Sequence, residues 1–149
     1  MNIRPTTPDD IPGLQAVLDA TDLFPSEILP DMLTESDDAE ALWFTCAVDG
    51  AAVGFCYTVP EEMTEGTWNM LAIAVMPARH RSGHGAALVA RVEAALRERG
   101  ARLVIVDTSG TDGFADTRAF YAALGYGEEA RIRDFWDAGD DKVTFRKAL

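Results

Sequence analysis

The sequence is poor in cysteine and histidine, with two of each in 149 residues, and poor in positive charge, with 13 Lys and Arg against 25 Asp and Glu. Each shortage excludes something. Cys46 and Cys56 are too few for a disulfide framework or a zinc site, and both stand among strand-like apolar neighbours. They read as buried, reduced thiols. His80 and His84 give no metal site. A net charge of −12 argues against a nucleic-acid partner, because such binding rests on neutralising phosphates. The same charge suits cationic substrates such as amines, or simply solubility. No apolar run approaches the length of a membrane span, and Met1 leads straight into a strand-like segment without a signal-peptide pattern. No membrane partner and a cytoplasmic location are therefore expected. Repeats, low-complexity tracts and Pro/Ser-rich linkers are also missing, so residues 1–149 are expected to form one domain with a sizeable core.

What is present alternates between the two structural periods. Ile3 and Arg4 read as a short strand, and Thr7-Pro8-Asp9-Asp10 opens a helix whose apolar face is Ile11, Leu14 and Leu18. A second short helix is expected from Glu27 to Leu33. Trp43–Val48 and Ala51–Val59 are strand-like runs joined by Asp49-Gly50, a strong hairpin signal. Trp68–Val75 is a further strand, ended by Pro77. Residues 84–99 form a helix with Leu88, Val92, Ala95 and Leu96 on one side and a Glu93–Arg97 pair on another, stopped by Gly100. Leu103–Val106 reads as a strand buried on both faces, completing one right-handed βαβ crossover. A short helix over Thr117–Leu124, ended by Gly125, and strands near Ala130–Phe135 and Lys142–Lys147 complete the chain. The expected fold is α/β (α+β): a mixed, mostly antiparallel sheet with one parallel pair and helices on both faces.

The stretch LAIAVMPARHRSGHGAALV, Leu71 to Val89, carries the functional signal. An apolar strand passes through a proline and a basic cluster to Gly83 and Gly85, and a helix follows at once. Glycines admit backbone conformations that side chains forbid and let a ligand approach bare amides. Unpaired N–H groups and the positive end of the helix dipole then face one point, an arrangement that binds phosphate or pyrophosphate. Arg79 and Arg81 add local positive charge. A Gly-rich turn that binds nothing is the plainer alternative.

Three kinds of phosphate loop compete. The Walker string G-x-x-x-x-G-K-[ST] does not occur. A Rossmann fingerprint would need a small residue where Leu88 stands, although Asp107 lies at the expected distance downstream. The segment from strand to first glycine is also too long for the tight Rossmann turn. Val75 to Val89 instead resembles the acyl-coenzyme A signature of the GNAT superfamily of N-acetyltransferases: a strand, V-x-P, then R/Q-x-x-G-x-G/A entering a helix. In that register the first basic position is His80, followed by Arg81, Ser82, Gly83, His84 and Gly85. His80 departs from the usual Arg or Gln, yet can donate to a pyrophosphate, with Arg79 and Arg81 beside it. Phe120-Tyr121-Ala122-Ala123-Leu124-Gly125-Tyr126 resembles the family's F/L-Y-x-x-x-G-F/Y segment, without the Asn often found upstream. The tail from Ile132 to Lys147 resembles that of a bacterial subgroup.

The resemblance implies acetyl-CoA as acetyl donor and an amine as acceptor. Backbone groups at Ile73, Ala74 and Val75 would pair with the pantetheine arm, and His80 to Ala86 (Arg81, Ser82, Gly83, His84 and Gly85 between them) would hold the pyrophosphate. Tyr121 would protonate the departing thiolate, against the plainer reading of a packing aromatic. His84 would merely follow the turn and face solvent or the next helix. Where many members carry a Glu near the start of the fourth strand, Asn69 stands here. Glu27, Asn69 and Glu65 are the expected acceptor-side residues, and Glu27, Glu61, Glu62 and Glu65 could form an acidic mouth lined by Phe24, Trp43 and Trp68. No single base stands out. The implied acceptor is a small-molecule amine or a protein amino group, attacked directly in a ternary complex. The competing functions are a catalytically inactive acyl-CoA-binding sensor and a dinucleotide-binding oxidoreductase. Exposed edges of the last strands could support a homodimer.

Overall fold

A computed structural model describes residues 1–37 and 40–149. Seven strands form one sheet: β1 (Asn2–Pro5), β2 (Leu42–Val48), β3 (Ala51–Pro60), β4 (Thr67–Val75), β5 (Leu103–Ser109), β6 (Gly127–Asp137) and β7 (Asp140–Ala148). Their spatial order is β1-β2-β3-β4-β5-β7-β6. Every adjacent pair is antiparallel except β4 and β5, which are joined by the crossover through α3 (His84–Glu98). The remaining helices are α1 (Ile11–Thr21), α2 (Leu29–Ser36) and α4 (Ala115–Ala123). The fold class expected from the sequence is the one found.

Local chemistry explains most boundaries. Asp49 and Gly50 both take positive φ, 50° and 80°, which a two-residue hairpin turn of this hand requires, and they set Val48 opposite Ala51. Pro8 opens a 3-10 turn rather than α1 itself, and Pro12 is tolerated because the first turn of α1 needs no intrahelical donors there. Asp10, legible in the sequence only as a first-turn acid, is buried. It accepts two 2.7 Å hydrogen bonds from the Arg4 guanidinium, one at 2.9 Å from the Thr7 amide and one at 3.1 Å from Thr45 Oγ1. Those bonds, the Arg4 guanidinium foremost, hold its carboxyl below the usual carboxylate range.

Two cores lie on opposite sides of the sheet. On one, Leu88, Val89, Val92 and Leu96 of α3 pack with Phe44, Met70, Val104 and Phe145, and Tyr121 of α4 joins them. On the other, Leu14, Val17 and Leu18 of α1 and Leu29 of α2 pack on Trp43, Phe55, Ala72 and Ala74. Cys46 and Cys56 are buried, free thiols, and burial pushes that of Cys56 up to about 12. β5 departs from expectation. It alternates, with Val104 and Val106 buried but Leu103, Ile105 and Asp107 only half-buried. The reason is that α1 packs against β3 and β4, leaving the same face of β5 uncovered.

Candidate active site

The site begins where two strands part. β4 and β5 pair only through Thr67–Leu103, Trp68–Val104 and Asn69–Ile105, yet β4 continues to Val75 and β5 to Ser109. β3 stays paired with β4 as far as Gly54 opposite Val75. Beyond Asn69, therefore, the β5 side of β4 presents backbone N–H and C=O groups with no ladder partner, groups that a folded chain rarely leaves idle. A bulge interrupts the same stretch. Tyr57 faces Ala72 and Thr58 faces Met70, so Leu71 is skipped and stands 52% exposed. Skipping one residue reverses the faces of the strand: Trp68 and Met70 belong to the α3 core, whereas Ala72 and Ala74 belong to the α1/α2 core.

A cavity of about 650 Å³ occupies the gap. Ile73, Ala74 and Val75 form one wall, the turn from Arg79 to Ala86 (without Ser82) another, and Asp116, Thr117, Phe120 and Tyr121 of α4 a third. Thr21 and Leu23, at the end of α1, close the rim.

The turn is built by specific residues. After a 3-10 turn over Pro77–Arg79, the His80 Nε2 lies 2.7 Å from the Val75 carbonyl oxygen, tying the turn back onto the strand it leaves. Arg81 and Gly83 are left-handed, at φ 63° and 82°, and Gly83 delivers the chain into α3. The two glycines do different work. Gly83 supplies the conformation, whereas Gly85 is already helical and supplies space: a Cβ there would stand 3.2 Å from Phe120 Cζ. The Ala87 amide is the first of α3 to find an intrahelical acceptor, Gly83 O at 3.0 Å. The amides of the preceding first turn are thus open donors at the positive end of a 15-residue helix, with no side-chain cap. An anion fits there. Arg81 approaches Asp116 at 3.8 Å, but both side chains are solvated, so the guanidinium remains available.

Tyr121 is 3% exposed, wedged between Phe120, Tyr126 and Phe145 at ring separations of 5.3 to 5.9 Å. It is one of the residues that line the cavity. Burial, then the neighbouring Cys56 thiol, push its pKa up, so the phenol stays protonated. Behind it stands a buried brace. Tyr126 donates to Glu93 Oε2 at 2.8 Å, and Lys147 donates to Glu93 Oε1 at 2.9 Å and to the Leu124 carbonyl at 2.8 Å. The Tyr126 amide in turn donates to Tyr121 O at 3.0 Å. The expected Glu93–Arg97 pair exists at 3.6 Å, but Glu93 is buried and its main partners are Tyr126 and Lys147. No sequence signal marks that role, because Lys147 lies 54 residues away.

The structure thus brings together Ile73, Ala74, Val75, His80, Arg81, Gly83, His84, Gly85, Ala86 and Tyr121 around one cavity. Ser82 is exposed at the crest of the turn, outside the lining. His84, expected to face solvent or the next helix, is instead 8% exposed, with a buried Nδ1 lacking a partner among the described residues. Glu27 and Glu65 are exposed and line no wall of it. Trp43 and Trp68 are core residues on opposite faces, and Phe24 sits edge-on to Phe55, so these three line no acidic mouth. Asn69 is buried at the apex of the split. Phe120, Asp116 and Leu23 are lining residues that the sequence reading left unassigned, and only Phe120 carried a signal, as the neighbour of Tyr121.

Comparison with known proteins follows the same lines. The profile described as "Acetyltransferase (GNAT) family" matches residues 13–126. A GNAT-family protein from Desulfovibrio desulfuricans superposes with a TM-score of 0.89 at 31% identity, over 99% of this chain and 98% of that one. The ribosomal-protein-alanine N-acetyltransferase of Brucella melitensis gives 0.85 at 21% identity over 100% of both chains. An aminoglycoside 6'-N-acetyltransferase complexed with coenzyme A gives 0.84 at 18% identity, over 99% of this chain and 97% of that one. The last two likenesses concern the fold alone. No curated protein matches the sequence.

Proposed function

This chain belongs to the GNAT acetyltransferase family, and from that premise we propose that it moves an acetyl group from acetyl-CoA to a primary amine of a small molecule or protein. One observation carries the reading: a single cavity joins an unpaired strand edge, an open helix N-terminus and a protonated buried phenol. A thioester substrate of this kind needs all three. Backbone groups of Ile73 to Val75 that β5 leaves unpaired, the His80-bound Val75 carbonyl excepted, pair with the amide-bearing pantetheine arm and polarise the thioester carbonyl. The first-turn amides of α3 and the Arg81 side chain receive the pyrophosphate. His80 acts through Val75, holding the turn closed rather than meeting the phosphates.

The amine nitrogen then attacks the carbonyl carbon, and the carbon–sulfur bond breaks. Tyr121 gives its proton to the leaving thiolate, a role suited to a phenol that burial keeps protonated. Residues 1–149 act as one domain in this reading, with the acceptor entering over the face of β5 that α1 leaves uncovered. Two neighbours name acceptors, an aminoglycoside and a ribosomal-protein alanine, and both are amines.

The test is thermal stability with acetyl-CoA, NAD or ATP, followed by thiol release with amine probes. A ligand binding only the native state at 100 times its Kd adds about 2.7 kcal/mol. A shift with acetyl-CoA alone, together with amine-dependent thiol release, is the expected result. Binding without turnover identifies a sensor, and a shift with NAD alone overturns the reading.

A further inference from the structure

Asn69 is the last β4 residue paired with β5, and it is 6% exposed. Its Nδ2 donates to Glu61 Oε1 at 2.8 Å, while its Oδ1 is buried with no partner among the described residues. A carboxylate only accepts, so the contact fixes which end of the amide faces Glu61. An acceptor oxygen without a donor remains beside it. Leaving such a group idle is costly, and a bound N–H or a bridging water relieves that cost.

The pair lies on the side of the sheet where an amine can enter. Val59 stands directly opposite Asn69, so Val59, Glu61 and Asn69 share one face, the one opposite Trp68 and Met70. Helix α1 packs on that face over β3 and β4, touching Ala72 and Ala74, but Leu71 is exposed and Ile105 and Asp107 are half-buried. The open floor therefore runs from Glu61 and Asn69 across to Ile105 of β5, on the face whose β4 residues Ala72 and Ala74 lead to the cavity wall at Ala74.

The other ionisable groups nearby are otherwise engaged or solvated. Asp107 accepts from Thr144 Oγ1 at 2.6 Å and lies 3.9 Å from Lys142 Nζ. Arg102 donates to the Glu65 carbonyl at 2.7 Å, and Glu62 and Glu65 are exposed. Glu61 is half-buried, held by Asn69, and has no cation within 4.0 Å among the described residues.

We propose that Glu61, oriented by Asn69, takes the proton of the acceptor ammonium, with Asn69 Oδ1 receiving an N–H of the same amine or of a bridging water. The inference rests on the acetyl-transfer reading. An alkylammonium gives one proton to the Glu61 carboxylate and becomes a nucleophilic amine, whose lone pair forms the carbon–nitrogen bond. The carbon–sulfur pair leaves on sulfur, Tyr121 protonates that sulfur, and the second proton of the nitrogen restores the phenol through solvent. The sum is acetamide, thiol and one proton, released from Glu61 to water.

The test is thiol release by wild type, Glu61→Gln and Glu62→Gln with acetyl-CoA and three probes: an alanine-initiated peptide, an aminoglycoside and a simple primary alkylamine. Glu61→Gln is expected to lower kcat about 100-fold near pH 7 with the KM for acetyl-CoA unchanged. The deficit should shrink to about threefold near pH 10, where solvent itself deprotonates an alkylamine. Glu62→Gln should behave as wild type. A Glu61→Gln enzyme within threefold of wild type near pH 7, or one impaired by the same factor at every pH, overturns the proposal and leaves acetyl transfer standing. A wild type that releases no thiol with any probe overturns both.

Discussion

The Gly85 backbone and the Phe120 ring fit so closely that a Cβ on Gly85 would stand 3.2 Å from Phe120 Cζ, close enough that the ring must give by a few tenths of an ångström. Phe120 is half-buried and can yield, so Gly85→Ala should leave stability within about 1 kcal/mol of wild type, helped by the higher helix propensity of alanine. Its effect should fall on the ligand, because the displaced ring and the new methyl both enter the cavity wall. Calorimetry should show at least tenfold weaker acetyl-CoA binding with an unchanged denaturation midpoint. Equal affinity for both proteins would refute the close-approach role of Gly85.

Gly83→Ala should separate the other way. Nothing lies within 4 Å of a Cβ there, but φ is +82°, which costs a non-glycine residue roughly 1–2 kcal/mol. Urea denaturation should show that loss even without ligand.

Tyr121→Phe keeps the ring that fills the core and removes only the proton donor. Thiol release should slow by about 100-fold at saturating amine, with the KM for acetyl-CoA little changed. Because burial raises its pKa, the phenol remains protonated through the neutral and mildly alkaline range. No alkaline loss of wild-type rate should therefore begin below about pH 10, the reference value for tyrosine. A fall in rate at lower pH would remove Tyr121 from this role.

Asp10→Asn should destabilise the fold by about 2 kcal/mol, because it strips the charge from an acceptor of four hydrogen bonds while Arg4 can partly rehydrate. The pH dependence has a definite sign. A carboxyl whose folded pKa is lowered contributes its stability above the unfolded value, near 3.9, and loses it as pH falls through the folded value. Wild type should thus weaken steadily below about pH 4, and the Asn variant should show a shallower acid dependence in urea midpoints.

Lys147→Met should cost about 3 kcal/mol by leaving Glu93 buried with only Tyr126 and a 3.6 Å contact to Arg97. Adding Glu93→Gln should restore part of that loss, since a neutral amide tolerates burial better than an unpaired charge. Independent, additive losses would show that the brace does not work as a unit.

Much of this protein is written in short stretches of its sequence. Asp49-Gly50 sets a hairpin because both residues accept positive φ, and Gly83 opens α3 for the same reason. The spacing of Leu88, Val92 and Leu96 identifies a buried helix face, and Phe120-Tyr121 with Gly125 marks the helix that brings a phenol to the cavity. These are local choices of dihedral angle and period, and each is settled within a few residues. What the chain alone left open depends on distant partners. The parting of β4 from β5 beyond Asn69 and the bulge at Leu71 follow from ladder registers that no single strand contains. The β5 face expected to be buried is half open because α1 ends over β4, a matter of which helix covers which strands. Carboxylates show the division best. Asp10, Glu61 and Glu93 are alike in the sequence, and only Arg4, Asn69 and Lys147, brought in by folding, turn them into an anchor, a proton acceptor's candidate and a brace. A carboxylate's behaviour is fixed by the charges and donors within a few ångströms, and those are a property of the tertiary structure.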